Sequence, residues 1–243
     1  MRARTVVWIA LLTFAGLGNC AGGQDARPAG APATSATRPK VTFAFERIGL
    51  PVPKYRLSIQ DDGATVYEGE ELPQVSGQES SASLPSHPFK SVADISPATV
   101  ARVFALGQKL KRFNVTCASK AKNIADTGTK TLSYVAPDGT GTCTYNYTEN
   151  KDVEALTEIY QGIAETMDRG RELDHLHRYD RLGLDAAIAF LSQEVTEGHA
   201  LEVGTIAASL RSIAADAEVM ERVRTRATKL LALIPGELPQ NAP

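Results

Sequence analysis

The run RELDHLHRYDR (residues 171–181) gathers the side chains best equipped for chemistry: Asp174, His175, His177 and Asp180. Imidazoles and carboxylates are the usual ligands of zinc and related divalent metals. On a strand, His175 and His177 would share a face. On a helix, residues two apart point to different sides. The segment reads as helical, so a charged helix surface or linker is the favoured reading. A metal site here stands as its rival.

Other arrangements carry less. The chain has no G-x-S-x-G elbow for a serine nucleophile and no G-x-x-x-x-G-K-[ST] loop for phosphates. His87 and His199 are isolated. Asp61, Asp62 and Gly63 suggest calcium by type, but the EF-hand spacing is missing and a tight turn explains them. Tyr145 and Tyr147, with Tyr134 nearby, are candidates for a binding face; such tyrosines more often pack beneath a helix with their hydroxyls at its rim. Asn114 and Asn146 begin N-x-T patterns that matter only in a host that glycosylates. The residues therefore assign no catalytic, cofactor-binding or metal-binding role.

Acidic and basic residues are interspersed, and the formal net charge is −2. No Lys/Arg stripe suits nucleic acid, and no basic amphipathic stretch suits a membrane surface.

Arg2 and Arg4 precede an uncharged apolar run, residues 6–17, and small residues follow. This is the three-part pattern of a secretory signal peptide over residues 1–23. The run is shorter than the ~20 apolar residues of a membrane span. Two processing routes compete. Leu17-Gly18-Asn19-Cys20 half-matches a lipoprotein signal, which would put a lipid on Cys20. Ala21-Gly22-Gly23 half-matches ordinary cleavage before Gln24. Residues 24–40, rich in Pro, Ala and Thr, lack apolar periodicity and read as a disordered tether. Such a chain is expected to be exported, periplasmic or at the cell envelope, and lipid-anchored or secreted. Only an N-terminal lipid would hold it to a membrane.

Cys117 and Cys143 remain, an even pair in an exported chain. In FNVTC, Phe113, Val115 and Cys117 fall on one face of a strand; in TCTYNY, Cys143, Tyr145 and Tyr147 do the same. A disulfide follows, worth ~3 kcal/mol in the chain-entropy model. With no C-x-x-C motif, a catalytic redox role is disfavoured.

Several elements must carry these residues. VTFAFER and KYRLSIQ alternate as strands, and DDGA links the second to TVYEG as a hairpin. Residues 70–88 are polar and rich in Ser, Gly and Pro. They read as a long loop, with room for a short strand at residues 81–84 and for a functional role. A helix starts where Ser96 can cap and Pro97 suits the first turn. KTLSYVAP and GTCTYNY flank a turn, and NKDVEALTEIYQGIAETMD follows as a second helix. Two helices on an antiparallel sheet make an α+β domain over residues 41–168. GLDAAIAFLSQEV, ALEVGTIAASLRSIA and DAEVMERVRTRATKLLALI then carry helical periodicity, with Asp216 as a candidate cap for the last. They form a small all-helical extension over residues 169–236, before a disordered tail at 237–243.

Phe45 and Arg47, then Pro53-x-Tyr55-x-Leu57-x-Ile59, Gly63 and Tyr67-Glu68-Gly69, resemble the opening of a domain of unknown function found in bacterial exported proteins and lipoproteins. The resemblance spans about residues 41–168 and implies a hairpin, a helix, a strand pair and a further helix. A Cys and Gly often precede the Pro in that family; Gly49 and Leu50 stand there instead. The resemblance carries no known activity and no functional residues. The expectation for the whole chain is a non-catalytic interaction module of the envelope, with an unidentified protein or envelope component as its partner. The alternative is an exported hydrolase or metal-dependent enzyme using the segment from Asp174 to Asp180.

Overall fold

A computed structural model describes residues 38–73 and 85–236. The segment expected to be a signal peptide, with Cys20, nearly all of the expected tether, the strand expected at residues 81–84 and the tail expected at 237–243 lie outside the described residues. The fold is α+β with a helical C-terminal part, as the patterning requires.

Six strands form one antiparallel sheet in the order β4-β3-β2-β1-β5-β6. They are β1 (Lys40–Glu46), β2 (Lys54–Gln60), β3 (Ala64–Glu71), β4 (His87–Asp94), β5 (Thr129–Ala136) and β6 (Gly139–Tyr145). Alternation sets the register. Val41, Phe43 and Phe45 of β1 lie against Ile59, Leu57 and Tyr55 of β2, and all six are buried. At the β2–β3 turn Gly63 has φ +92°, and a Cβ there would sit 3.0 Å from the Ile95 carbonyl, so the turn requires glycine.

The loop expected at residues 70–88 is trimmed at both ends. β3 runs to Glu71 and β4 begins at His87. Sequence patterning misses β4 because it is an edge strand, exposed along most of its length, with Pro88 in its second position. FNVTC is not a strand either. After helix α1 (Pro97–Lys109), residues Lys111, Arg112 and Phe113 all have positive φ, from 52° to 65°. This left-handed turn, costly for side-chain-bearing residues, buries Phe113 completely. Arg112 donates to Asp138 from Nε and Nη2. Its carbonyl presses so close to β6 that a Cβ on Gly141 would lie 2.0 Å away.

The irregular chain that follows is tied down chemically. Cys117 and Cys143 form the expected disulfide, with Cα atoms 5.9 Å apart. The buried ammonium of Lys130 donates to the carbonyls of Thr127, Gly128 and Asn146 and to the Thr127 hydroxyl. Burial, then the nearby Arg47, lowers its pKa. The disulfide is compatible with an oxidising, exported location. Among the described residues no helix is long and apolar enough to cross a membrane.

Helix α1 is capped by Ser96, whose hydroxyl accepts from the Thr99 amide. Helix α2 (Lys151–Tyr179) spans 29 residues, about 43 Å at the standard rise. The boundary expected at residue 168 falls inside it. Its first half lies over the sheet, where Tyr160 stacks on Phe43 and donates to the Val41 carbonyl at 2.9 Å. Its last turns, through Leu173, enter a second core with α3 (Leu184–Glu197), α4 (Ala207–Ala215) and α5 (Glu221–Leu231). Residues 199–206 join the two cores. The Gly162 carbonyl accepts from the Leu201 amide and from Thr166, and Gly170 lies against Ile206. Glu202 reaches over to Ser96 and Thr99 at the start of α1. Asp216 does not cap α5, which starts five residues later. It closes α4 and accepts from the Glu218 amide.

Candidate functional site

A cleft of about 920 Å³ opens where α2 leaves the sheet. The β1–β2 loop forms one wall, shaped by hydrogen bonds from the Arg47 amide to the Pro53 carbonyl and from the Leu72 amide to the Pro51 carbonyl. Gly49 has φ +89° in that loop, and Ile48 stands almost fully in solvent at its tip. Leu50, Pro51, Val52, Leu72 and Pro73 make this side apolar. Phe45 and Tyr55 form the floor. The opposite wall is the polar side of α2, from Gln161 to Leu176.

Two arginines of α2 organise the charges. Arg171 donates to Asp168 at 2.8 Å and to Glu71 of β3 at 2.7 Å, and its guanidinium lies 3.7 Å from the Phe89 ring centre. Tyr67, wholly buried, donates to both Asp168 oxygens at 3.0 Å. Burial pushes the Asp168 carboxyl above its usual range, against the pull of Arg171 and Tyr67. Burial also acts to lower the Arg171 pKa, but the hydrogen bond and charge of Asp168, with Glu71, outweigh it and leave it raised. Arg169 repeats the scheme, donating to Glu165 at 2.7 Å and Glu172 at 2.5 Å, with Phe190 under its guanidinium at 4.8 Å.

Each guanidinium is therefore held between two carboxylates. These four acids and two arginines leave a formal excess of two negative charges. Asp168 accepts from both Tyr67 and Arg171, with the Glu165 carboxylate near enough to act on it electrostatically. The cleft lies between an apolar wall and a charged one. The volume is within the range of small-molecule and short-segment sites.

The sequence-derived candidates end up elsewhere. Asp174, His175, His177 and Asp180 occupy the end of α2 without converging. His175 packs on the Tyr179 ring, His177 pairs with Asp216 at 2.9 Å, and Asp180 accepts from the Gly183 amide. Only His175 reaches the rim of the cleft, as does His87. His199 is not isolated: its Nδ1 lies 3.3 Å from Glu194 and 3.5 Å from Glu197, mostly exposed at the end of α3. Tyr134 and Tyr145 are buried beneath the helices and bond to Gln108 and Thr157. Burial raises the Tyr145 pKa to about 12. The Asn114 and Asn146 side chains are engaged with backbone carbonyls.

The cleft charges escape a reading for motifs. Glu165-x3-Arg169-x2-Glu172 and Asp168-x2-Arg171 are helical ion-pair spacings visible in the chain. The Tyr67–Asp168 contact, 101 residues apart, has no local signal. No family model matches the chain, and no curated protein matches it.

Proposed function

We propose that this chain is a non-catalytic binding module of the bacterial cell envelope, and that the cleft between the β1–β2 loop and α2 is its binding site. The observation that carries the reading is that the cleft's arginines and Asp168 are already paired with neighbouring groups. Active sites hold titratable groups poised for transfer, whereas Asp168, Arg169 and Arg171 are each committed to two or more partners. Export is supported by the disulfide and by the leader pattern, with either a lipid on Cys20 or cleavage near Gln24. The ligand is an envelope component presenting an apolar group to Leu50 and Val52.

The reading is tested in cells by a photo-crosslinking residue at Val52 or Leu72, with Ser91 as the control position. A discrete adduct from the cleft positions, lost on Arg171→Ala and absent at Ser91, supports it. No adduct at either cleft position, or equal adducts at Ser91, sinks it. An intact mass of membrane and soluble fractions decides between lipidation and cleavage.

A further inference from the structure

The helices cover one face of the sheet and leave the other open among the described residues. Cross-strand register sets out that open face as a grid. One row runs Glu46, Lys54, Glu70 across β1, β2 and β3. The next runs Ala44, Arg56, Glu68, Lys90 across β1 to β4. β2 presents Lys54 and Arg56 and β3 presents Glu68 and Glu70, whereas the outer strands are mixed, with Lys40 and Glu46 on β1 and Lys90 and Asp94 on β4. No ion pair joins Glu46, Lys54, Arg56, Glu68 and Lys90 among the described residues, although oppositely charged neighbours stand side by side. Val92, on the same face, is 70% exposed, with Val66 beside it in the adjoining row.

Between the two central strands the charge changes sign, from Lys54 and Arg56 on β2 to Glu68 and Glu70 on β3. A two-fold axis along the line between them, parallel to the strands, lays β2 on β3 of a second copy and β1 on its β4. The two central strands then meet charges of the opposite sign, while Glu46 comes over Pro88. Arg56 faces Glu68, Lys54 faces Glu70, and each pair occurs twice, as an isologous contact demands. Lys90 comes over Ala44, the shortest side chain of its row. A depression of about 550 Å³ runs across all four strands, from Ala44 and Glu46 past Arg56 and Glu68 to Lys90. The apolar Val66 and Val92 meet the hydroxyls of Ser58 and Thr42. Sheets stacked this way cross at about −30°, so the strands stay superposed best near the axis, at β2 and β3.

We propose that the open sheet face is a self-association surface and that its occupant is a second copy of this chain, docked face to face about the β2–β3 line. This surface is separate from the cleft and does not depend on the cleft's function. Four strands give a footprint of roughly 19 by 24 Å, small for a permanent interface. The dimer is weak, salt-sensitive and concentration-dependent.

The test is sedimentation equilibrium of the full chain at concentrations up to about 1 mM, with Arg56→Glu, Glu68→Arg and the double swap. Circular dichroism checks that each variant is folded. The wild type and the double swap should dimerise. Each single variant should be monomeric, because it sets like charges against each other twice. An equimolar mixture of the two single variants should regain the dimer, since the carboxylate introduced by Arg56→Glu in one copy then faces the guanidinium introduced by Glu68→Arg in the other. Monomeric wild type throughout, or a dimer insensitive to both single reversals, overturns the proposal. So does a mixture that stays monomeric.

Discussion

The two cores of this molecule share one helix and differ in almost everything else. The sheet core is aromatic and polar-anchored. Phe43, Phe45, Tyr55, Tyr67, Phe113, Tyr134, Tyr145 and Tyr160 fill it, and a disulfide closes its side. The hydroxyls of Tyr67, Tyr134, Tyr145 and Tyr160 each have a fixed partner. The helical core has no aromatic among its buried residues. Leu173, Leu184, Ile188, Leu191, Leu210, Ile213, Val223 and Leu230 make it by volume alone. Its ion pairs lie at the surface: Asp185 with Arg222 and Arg226, and His177 and Arg181 with Asp216. Hydrogen-bonded rings specify one packing, because a misplaced hydroxyl is left unpaired. Aliphatic packing tolerates rearrangement so long as volume is kept. The cleft lies at the seam, walled by the rigid core on one side and by the last turns of the shared helix on the other.

The strongest test of this contrast pairs Phe43→Ala with Leu210→Ala. Phe43→Ala removes a fully buried ring stacked on Tyr160 and should cost ~4 kcal/mol, unfolding both cores together because α2 loses its seat. Leu210→Ala should cost ~3 kcal/mol. It should speed amide exchange in α3, α4 and α5 while β1, β2 and β5 stay protected. Equal loss of protection in the sheet would mean that the two cores behave as one.

A smaller effect is expected at the seam. A Cβ on Gly170 would lie 2.3 Å from Ile206 Cγ2. Gly170→Ala gains helix propensity in α2 but must push residues 203–206 aside, for a net loss of ~1–2 kcal/mol. Gly170→Ala with Ile206→Val should recover part of it in urea melts. No recovery would locate the strain elsewhere.

The smallest difference is a response to acid, in which the buried Asp168 has the opposite sign to the paired carboxylates nearer the surface, Asp138 of the sheet region among them. A hydrogen bond from Arg222 holds the Asp185 carboxyl low, and one from His177 does the same for Asp216. Their contribution is present above the ordinary carboxylate pKa of about 4 and is lost as pH falls through their lowered values. Burial raises Asp168, so its contribution is present at low pH and is lost as pH rises through its raised value. Acidification should therefore loosen α5, held by Asp185, before the Tyr67–Asp168 contact, read as earlier amide exchange in α5 than in β3. The reverse order would contradict this assignment of charges.

Local patterning made much of the architecture legible. Alternation in KYRLSIQ and the Asp-Gly turn specify the β2–β3 hairpin, because period two leaves one register that buries Tyr55, Leu57 and Ile59. Ser96 and Pro97 mark the start of α1 by cap chemistry alone. The Cys pair is legible from number and context, although Cys117 sits in irregular chain, not on a strand. β4 was hidden, since an edge strand needs no apolar face of its own. The left-handed turn at Lys111, Arg112 and Phe113 was hidden too, since only the burial of Phe113 and the hold of Asp138 on Arg112 offset its local cost. The cleft was the least legible feature. Tyr67, Glu71 and Phe89 come to Asp168 and Arg171 from about 80 to 100 positions away along the chain. Hydrophobic period and cap residues act over a few neighbours and are written in the chain. A buried charge finds its partners only after the sheet and helix have packed, so the tertiary structure alone decides which groups meet.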